Sequence, residues 1–196
     1  MQYLNYSKND VSGVVLAGGR SNRFGQDKCL YVHNGITLTE HAVHALLPWC
    51  GDVMISTNKP QEMSYLGLQT ISDQYKDCGP LGGIHSGLLH SKGSVVVFTG
   101  CDMPYLDGRI IPFLVNKLGD KQAVVPTHGG FRETLCMVLR KDSLAQVESA
   151  LLKRTLKLLD VLHNLDTVFA DVSLQDFFTP GIFHNINTRE DLQFEP

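Results

Sequence analysis

Short apolar runs alternate along this chain with longer segments of helical character. Runs such as residues 11–17 and 94–99 are dominated by apolar residues, which is typical of strands that are buried on both faces. The segments between such runs repeat apolar residues every three or four positions, as one face of a helix does. This alternation predicts βαβ units, and therefore an α/β protein with a largely parallel sheet covered on both sides.

Six runs are predicted as strands and four segments as helices. The strands are expected at residues 11–17, 53–56, 69–72, 94–99, 123–126 and 134–139. Thr37 and Glu40 have the spacing of a capping box, so a helix is expected to begin there and to end near Pro48. A second helix is expected from about Gly82 to just before Lys92. Leucines and valines at helical spacing predict two more helices, at residues 144–151 and 156–162.

The composition favours one globular domain and disfavours several other classes. The 196 residues are 43% hydrophobic with a net charge of −3, so we predict a single domain over residues 1–196, with residues 1–10 as a loosely ordered extension. No apolar run approaches the ~20 residues that cross a bilayer, and the first ten residues lack a secretory pattern. A cytoplasmic protein without a membrane span is expected.

Two further features of the composition bear on partners and redox state. The pI near 6.2 offers no overall basic field for nucleic acid, so a small-molecule partner is expected. The five cysteines are an odd number without a C-x-x-C pair. This favours reduced thiols over a disulfide framework or a zinc knuckle.

The segment that ends at Lys28 follows the first predicted strand and is rich in glycine and cations. Ligands of open parallel sheets bind outside the carboxyl ends of the strands, so this loop is a candidate binding loop. Gly18 and Gly19 allow backbone amides to approach an anion closely. Three cations lie within nine positions: Arg20, Arg23 and Lys28. Together these residues favour a ligand that carries phosphate.

Two familiar nucleotide signatures do not fit this loop. Lys28 does not directly follow a glycine and precede Ser or Thr, so the loop is not a Walker loop. The pattern G-x-G-x-x-G is absent as well, which disfavours an NAD-dependent oxidoreductase. The structural alternative is a glycine-rich turn whose charges face water.

Asp102 is a second candidate on its own chemistry. It follows the most apolar predicted strand, where a carboxylate has no hydrophobic reason to lie and where the ligand crevice of the sheet should open. Mg²⁺ joins one or two carboxylates to substrate phosphates, so a single aspartate at such a place suffices as a metal ligand. The alternative is an aspartate that caps the turn before Pro104.

The pattern L-A-G-G-x-S-x-R-x-G-x-D-K resembles nucleotidyltransferases that build activated sugars and cofactors from nucleoside triphosphates. Three more motifs follow in order, at residues 79–83, 101–104 and 185–188. The ordered set resembles the molybdenum cofactor guanylyltransferase family over about residues 11–192. The resemblance implies a three-layer Rossmann-like nucleotidyltransferase fold with a mostly parallel central sheet. It also implies Mg²⁺-dependent transfer of GMP from GTP to the terminal phosphate of molybdopterin, with release of pyrophosphate.

The resemblance also implies roles for individual residues. The residues implied to bind GTP are Leu16, Ala17, Gly18, Gly19, Lys28, Asp73 and Asp102. Catalysis is implied for Lys28, Arg23 and Asp102, with Asp102 as the Mg²⁺ ligand. The residues implied on the side of the pterin substrate are Gly83, Asn185 and Asn187. Transient contact with cofactor-biosynthesis proteins or molybdoenzyme chaperones is the corresponding expectation for protein partners.

Several of these assignments have plainer alternatives. Asp73 alone would be a loop carboxylate, and residues 79–83 are either a rigid turn or the start of a helix whose amides hold a phosphate. Residues 188–191 also have the spacing of a capping box. Ser56 departs from the family, because some members carry there an asparagine that contacts the nucleotide, whereas this chain has Asn58 two places later.

Three other functions stay open at this point. A related transferase would use CTP or make a nucleotide sugar. A carrier or regulator would keep the nucleotide fold without catalysis, but Lys28 and Asp102 together disfavour it, because a passive binder has less need of both groups. An oxidoreductase is the third, and it lacks its fingerprint.

Overall fold

A computed structural model describes residues 6–18, 28–188 and 190–193 of the chain. The strands in these ranges are β1 (Val11–Leu16), β2 (Val32–His33), β3 (Ile36–Thr37), β4 (Asp52–Ser56), β5 (Gln69–Ile71), β6 (Val95–Gly100), β7 (Ala123–His128), β8 (Phe131–Arg132), β9 (Cys136–Arg140) and β10 (Thr167–Asp171). The α-helices are α1 (Leu38–Leu46), α2 (Pro80–His90), α3 (Ile110–Leu118), α4 (Leu144–Leu152) and α5 (Leu158–His163). None of the helices within these ranges is both long and apolar enough to span a bilayer.

The central sheet has the strand order β10-β7-β9-β6-β1-β4-β5, with β8 paired to β7 and with β2 and β3 in a separate hairpin. β1 is parallel to both of its neighbours, and the pairs β4–β5 and β7–β10 are also parallel. β9 is antiparallel to both β6 and β7. The prediction of an α/β fold with a mostly parallel central sheet is therefore confirmed.

The apolar residues of the strands face two separate cores. In β1, Val11 and Val15 contribute to one core, whereas Val14 and Leu16 contribute to the other. Helices α1 and α3 cover the first face, and α2, α4 and α5 cover the second. Because both faces of the sheet are covered, its central strands carry apolar residues toward both sides rather than toward one. The result is the three-layer architecture that was predicted.

The predicted elements agree with the structure to within a few residues, with informative exceptions. Helix α2 begins at Pro80 rather than at Gly82, because proline fits the first turn of a helix, where its missing N–H is not needed. The sequence analysis did not predict α3, whose Pro112 lies in the first turn and resembles a breaker in sequence. It also did not predict β10, a half-buried edge strand. All five cysteines are free thiols, as expected.

Helix α1 helps to position the turn that carries Lys28. The predicted capping box is present, since the Thr37 N–H donates to Glu40 Oε2 at 2.7 Å and the Glu40 N–H donates to Thr37 Oγ1 at 3.2 Å. In the first turn of α1, the buried Thr39 hydroxyl donates to the Cys29 carbonyl at 2.8 Å. Because Cys29 follows Lys28 directly, the start of α1 fixes the backbone beside Lys28.

Removal of the Thr37 hydroxyl tests this arrangement. We expect Thr37→Ala to lower the free energy of unfolding by about 1 kcal/mol, since an orphan amide at the helix start loses its acceptor. Thr37→Ser keeps the hydroxyl and should stay close to the wild type. Urea denaturation measures both variants, and equal losses in the two would contradict a capping role for the hydroxyl.

Candidate active site

Strand β1 is the point at which the order of the sheet reverses. The chain adds β4 and β5 on one side of β1 and β6 on the other. Leu16, the last residue of β1, pairs in register with Ser56 of β4 and with Gly100 of β6. The carboxyl ends of three strands therefore meet at one edge, and such a switch point is where open α/β sheets bind ligands.

Lys28 and Asp102 form an ion pair at this edge. Asp102 lies two residues after the end of β6, is only 8% exposed, and accepts from Lys28 Nζ at 2.7 Å through Oδ2. The two residues are 74 positions apart in the chain. The structure thus brings together two of the predicted catalytic residues in a short, charge-assisted contact.

Asn187 completes this cluster. Lys28 Nζ donates to Asn187 Oδ1 at 3.0 Å, so one ammonium holds both the predicted metal ligand and a residue predicted on the pterin side. The backbone supports the contact, because the Ile186 N–H donates to the Asp102 carbonyl at 2.9 Å. The segment near the end of the chain is thereby fixed against the end of β6.

The loop that carries Asn187 is held by Asp191. Asp191 Oδ2 accepts from the backbone N–H groups of Asn187 at 2.8 Å and of Thr188 at 2.7 Å. These hydrogen bonds, the one from Asn187 above all, lower the pKa of Asp191. The capping alternative and the site role are therefore compatible, since Asp191 orders the loop while the Asn187 side chain reaches Lys28.

The charge on Lys28 is favoured by its partner. Partial burial disfavours the ammonium, but the attraction and the hydrogen bond of Asp102 outweigh that cost, so the pKa of Lys28 lies above its usual value. The side chains of Lys28 and Asp102 are 20% and 12% exposed, so water screens the pair only in part. Two opposite charges are therefore held ready at the sheet edge.

A cleft of about 760 Å³ opens at the carboxyl ends of β1, β4 and β5, and its described lining includes neither Lys28 nor Asp102. Five residues that the sequence singled out line it: Leu16, Ala17, Gly18, Asp73 and Gly83. Gly83 was predicted on the pterin side, but in the structure it shares this cleft with the GTP candidates. The volume lies in the range of pockets that hold small molecules and cofactors.

Asp73 is held in the cleft by two donors. The Ser56 hydroxyl donates to Oδ1 at 3.4 Å, and Asn58 Nδ2 donates to Oδ2 at 3.3 Å. Burial raises the pKa of Asp73 above its usual value, and the two hydrogen bonds counteract the rise only partly. An ionised carboxylate here can accept from paired N–H or O–H groups of a ligand.

Two glycines make room for these polar groups. A Cβ at position 100 would lie 2.6 Å from Asp102 Oδ1, and a Cβ at position 83 would lie 2.7 Å from Ser56 Oγ. Any larger side chain would displace the carboxylate or the hydroxyl. The site therefore requires glycine at Gly100 for Asp102 and at Gly83 for the wall of the cleft.

Some predicted residues are not brought into contact with the cluster. Gly19 and Arg23 lie outside the described residues, and their roles stay predictions. Within the described part of the chain, Asn185 Oδ1 is buried without a hydrogen-bond partner. In residues 6–18, 28–188 and 190–193, no group of three or more His, Cys, Asp or Glu side chains can hold a metal ion. The role of Asp102 as a metal ligand stays a prediction.

Sequence reasoning missed several residues of the cleft. Thr57, Lys59 and Asp77 line the cleft and were not predicted, whereas Gly79 and Pro80 belong to the motif at residues 79–83 and Asn58 was noted beside Ser56. The position of residues 57–59 directly after β4 was the available signal, because polar residues at the end of a parallel strand face the ligand edge. The hydrogen bonds from Ser56 and Asn58 to Asp73 had no comparable signal, since they depend on how β4 and β5 pair.

The fold and the cleft at the switch point are those of an α/β protein of the nucleotidyltransferase class. The chain matches the MobA-like NTP transferase domain over residues 13–168 and belongs to that family. It is 30% identical to the molybdenum cofactor guanylyltransferases of Aliivibrio fischeri strain MJ11, over 93% of this chain and 94% of the relative, and of Vibrio cholerae, over 94% and 90%.

A solved structure supports the same relationship. The molybdopterin-guanine dinucleotide biosynthesis protein A of Archaeoglobus fulgidus superposes with a TM-score of 0.79 at 26% identity, over 92% of this chain and 94% of that one. Similarity therefore extends over nearly the whole chain.

A double-mutant cycle tests the ion pair. Lys28→Met and Asp102→Asn should each destabilise the protein, because either change leaves the other charge partly buried without its partner. The double variant should lose less than the sum, with a coupling of about 1–2 kcal/mol. Urea denaturation of the four proteins gives this value. Additive losses would contradict a direct interaction.

The pKa of Asp73 predicts a pH-dependent cost of folding. Because its folded-state pKa is raised, the folded chain holds this proton more tightly than the unfolded chain, so stability falls as pH rises from the usual value of 3.8 through the raised one. Asp73→Asn removes this loss and should melt at a higher temperature than the wild type at pH 7. Asp176→Asn, at an exposed position, is the matched control. A lower melting temperature for Asp73→Asn would contradict a desolvated carboxylate.

Proposed function

We propose that this protein transfers GMP from GTP to the terminal phosphate of molybdopterin, releasing pyrophosphate and forming the guanine dinucleotide cofactor. The observation that most supports the proposal is the Lys28–Asp102 pair at the switch point, at the same sheet edge as a cleft lined by the start of the glycine-rich motif and by Asp73. The names of the relatives supply the guanine and the molybdenum cofactor.

The reaction requires charge stabilisation rather than a protein base. The second pKa of a phosphate monoester is about 6, so the attacking phosphate is largely dianionic at neutral pH. Catalysis of such transfers depends on orientation and on cations that stabilise the phosphate oxygens. Lys28 can supply one cation when its Nζ moves from Asp102 to a phosphate oxygen of GTP.

Asp102 suits a magnesium ion that also binds the substrate. Its buried carboxylate is a hard oxygen ligand at the edge where phosphates would lie, and Mg²⁺ needs only one or two such ligands when water and phosphate complete its shell. Bound Mg²⁺ would neutralise charge on the triphosphate. Asp102 would hold the ion with the oxygen that Lys28 releases, so the substrate and its ion replace the ion pair together.

The nucleoside is proposed to bind toward β4 and β5. There the backbone of residues 16–18 and the Asp73 carboxylate face the same cleft. Guanine presents adjacent N–H donors and ribose presents hydroxyls, and a carboxylate oriented by Ser56 and Asn58 can accept from either. Asn58 therefore supports a nucleotide contact near the position where Ser56 departs from the family.

The acceptor is proposed to lie on the opposite side of β1, over β6. Asn187 contacts Lys28 there, so a phosphate that approaches from this side meets the same ammonium as the triphosphate. We also propose that another protein delivers the acceptor and that a molybdoenzyme chaperone receives the product.

Pyrophosphate release tests the function directly. We expect rapid release only with GTP, Mg²⁺ and molybdopterin together, and much slower release with CTP, UTP or ATP. Equal release with CTP would point to a cytidylyltransferase. Tight binding of GTP without any release would point to a carrier.

The same assay tests the role of Asp102. Asp102→Asn should lower turnover by at least ~100-fold, the scale of a lost electrostatic stabiliser. Asp176→Asn removes an exposed carboxylate and should keep the wild-type rate. Near-normal turnover of Asp102→Asn, in a folded protein, would remove Asp102 from the reaction.

A further inference from the structure

Two thiols lie in contact directly beside the Lys28–Asp102 pair. Cys29 Sγ and Cys101 Sγ are 2.7 Å apart, although the residues are 72 positions apart in the chain. Each cysteine is 3% exposed. Cys29 follows Lys28 and Cys101 precedes Asp102, so the thiols join the same two segments that the ion pair joins.

The backbone around the two sulfurs is already fixed. Cys29 Sγ donates to the Ala17 carbonyl at 3.6 Å, and the Cys29 carbonyl accepts from the Thr39 hydroxyl. The Cys101 N–H donates to the Leu16 carbonyl at 3.2 Å. Both cysteines are therefore anchored to the end of β1, and their closeness follows from the fold rather than from a flexible side chain.

We propose that Cys29 and Cys101 are a modification site: mild oxidation joins them in a reversible disulfide that weakens binding of the metal–triphosphate substrate. A disulfide bond is about 2.05 Å long, so the sulfurs need to approach by only a fraction of an ångström. Disulfides that occur in reducing compartments are mostly transient or redox-sensing, which matches a pair beside an active site better than a structural bridge does.

The oxidant is a peroxide. The Cys29 sulfur attacks one oxygen of hydrogen peroxide, the O–O bond breaks, and a sulfenic acid and one water form. The Cys101 sulfur then attacks the Cys29 sulfur, the S–O bond breaks, and the hydroxide leaves as water with the thiol proton. Two thiols and one peroxide thus give one disulfide and two waters. Thiol–disulfide exchange with an added dithiol restores both thiols.

The disulfide would weaken substrate binding because it would join the segments that carry Lys28 and Asp102. Lys28 Nζ already contacts Asp102 Oδ2, and binding of a metal–triphosphate requires these atoms to separate. A covalent link one residue away from each holds the backbone of Lys28 against the end of β6. The oxidised protein therefore keeps the ion pair and resists its replacement by phosphate and metal.

One of the other three cysteines provides a matched control. Cys50 lies at the opposite end of β1, beside Gly13 in the core that α1 covers, and it is as buried as Cys29 and Cys101. Cys50→Ser therefore changes a buried thiol without touching the segments of Lys28 or Asp102.

Peptide mapping of the full-length protein tests the site itself. After treatment with hydrogen peroxide, we expect a cross-linked peptide pair containing Cys29 and Cys101, which dithiothreitol removes. Cys29→Ser and Cys101→Ser should abolish the pair, and Cys29→Ala and Cys101→Ala should do the same where serine impairs folding. Cys50→Ser should leave the pair unchanged. Absence of the pair in the wild type, or its replacement by other pairings, would overturn the proposal.

Affinity for GTP with Mg²⁺ tests the consequence. We expect the oxidised wild type to bind at least ~10-fold more weakly than the reduced protein, the scale of one impaired contact to a charged group, with recovery after dithiothreitol. Peroxide should leave the affinity of Cys29→Ser unchanged. A disulfide that forms without any change in affinity would overturn its effect on the site. Failure of the reduced protein to bind GTP would contradict the proposed function instead, because the cross-linked peptide is detected without nucleotide.

Discussion

The ion pair between Lys28 and Asp102 is the contact on which the site depends. It joins a turn after β1 to the end of β6, and its 2.7 Å contact is possible only because these two parallel strands end at the same edge. Asn187 attaches to the same ammonium, so three distant parts of the chain converge on one charge. The start of α1 holds the backbone next to Lys28, and Asp191 holds the loop that carries Asn187.

The pair also explains how two charged groups can lie partly buried at this edge of the sheet. A carboxylate as buried as Asp102 is costly without a cation, and Lys28 supplies that cation. The two described donors to Asp73 are neutral, and burial raises its pKa, so this carboxylate costs stability when it is ionised. Glycine at position 100 also contributes, because it leaves space for the Asp102 carboxylate.

Much of this was predictable from sequence, because apolar runs and motifs are local signals. The core strands, the capping box at Thr37 and the candidates Lys28 and Asp102 follow from residue patterns, whereas Asp73 was a candidate only through the resemblance to the family. The hydrogen bonds to Asp73 and the meeting of Cys29 with Cys101 were not predictable, because the first depend on how β4 pairs with β5 and the second depends on how β1 pairs with β6. Helix α3 was hidden by a proline in its first turn, and the roles of Gly19 and Arg23 remain predictions.

The central claim is that substrate and metal replace the Lys28–Asp102 contact. A crystal structure with magnesium and a non-hydrolysable GTP analogue measures this directly. We expect Lys28 Nζ to contact a phosphate oxygen, the Asp102 carboxylate to bind the metal, and the nucleoside to lie beside Asp73. An intact ion pair, with the nucleotide bound elsewhere, would contradict it.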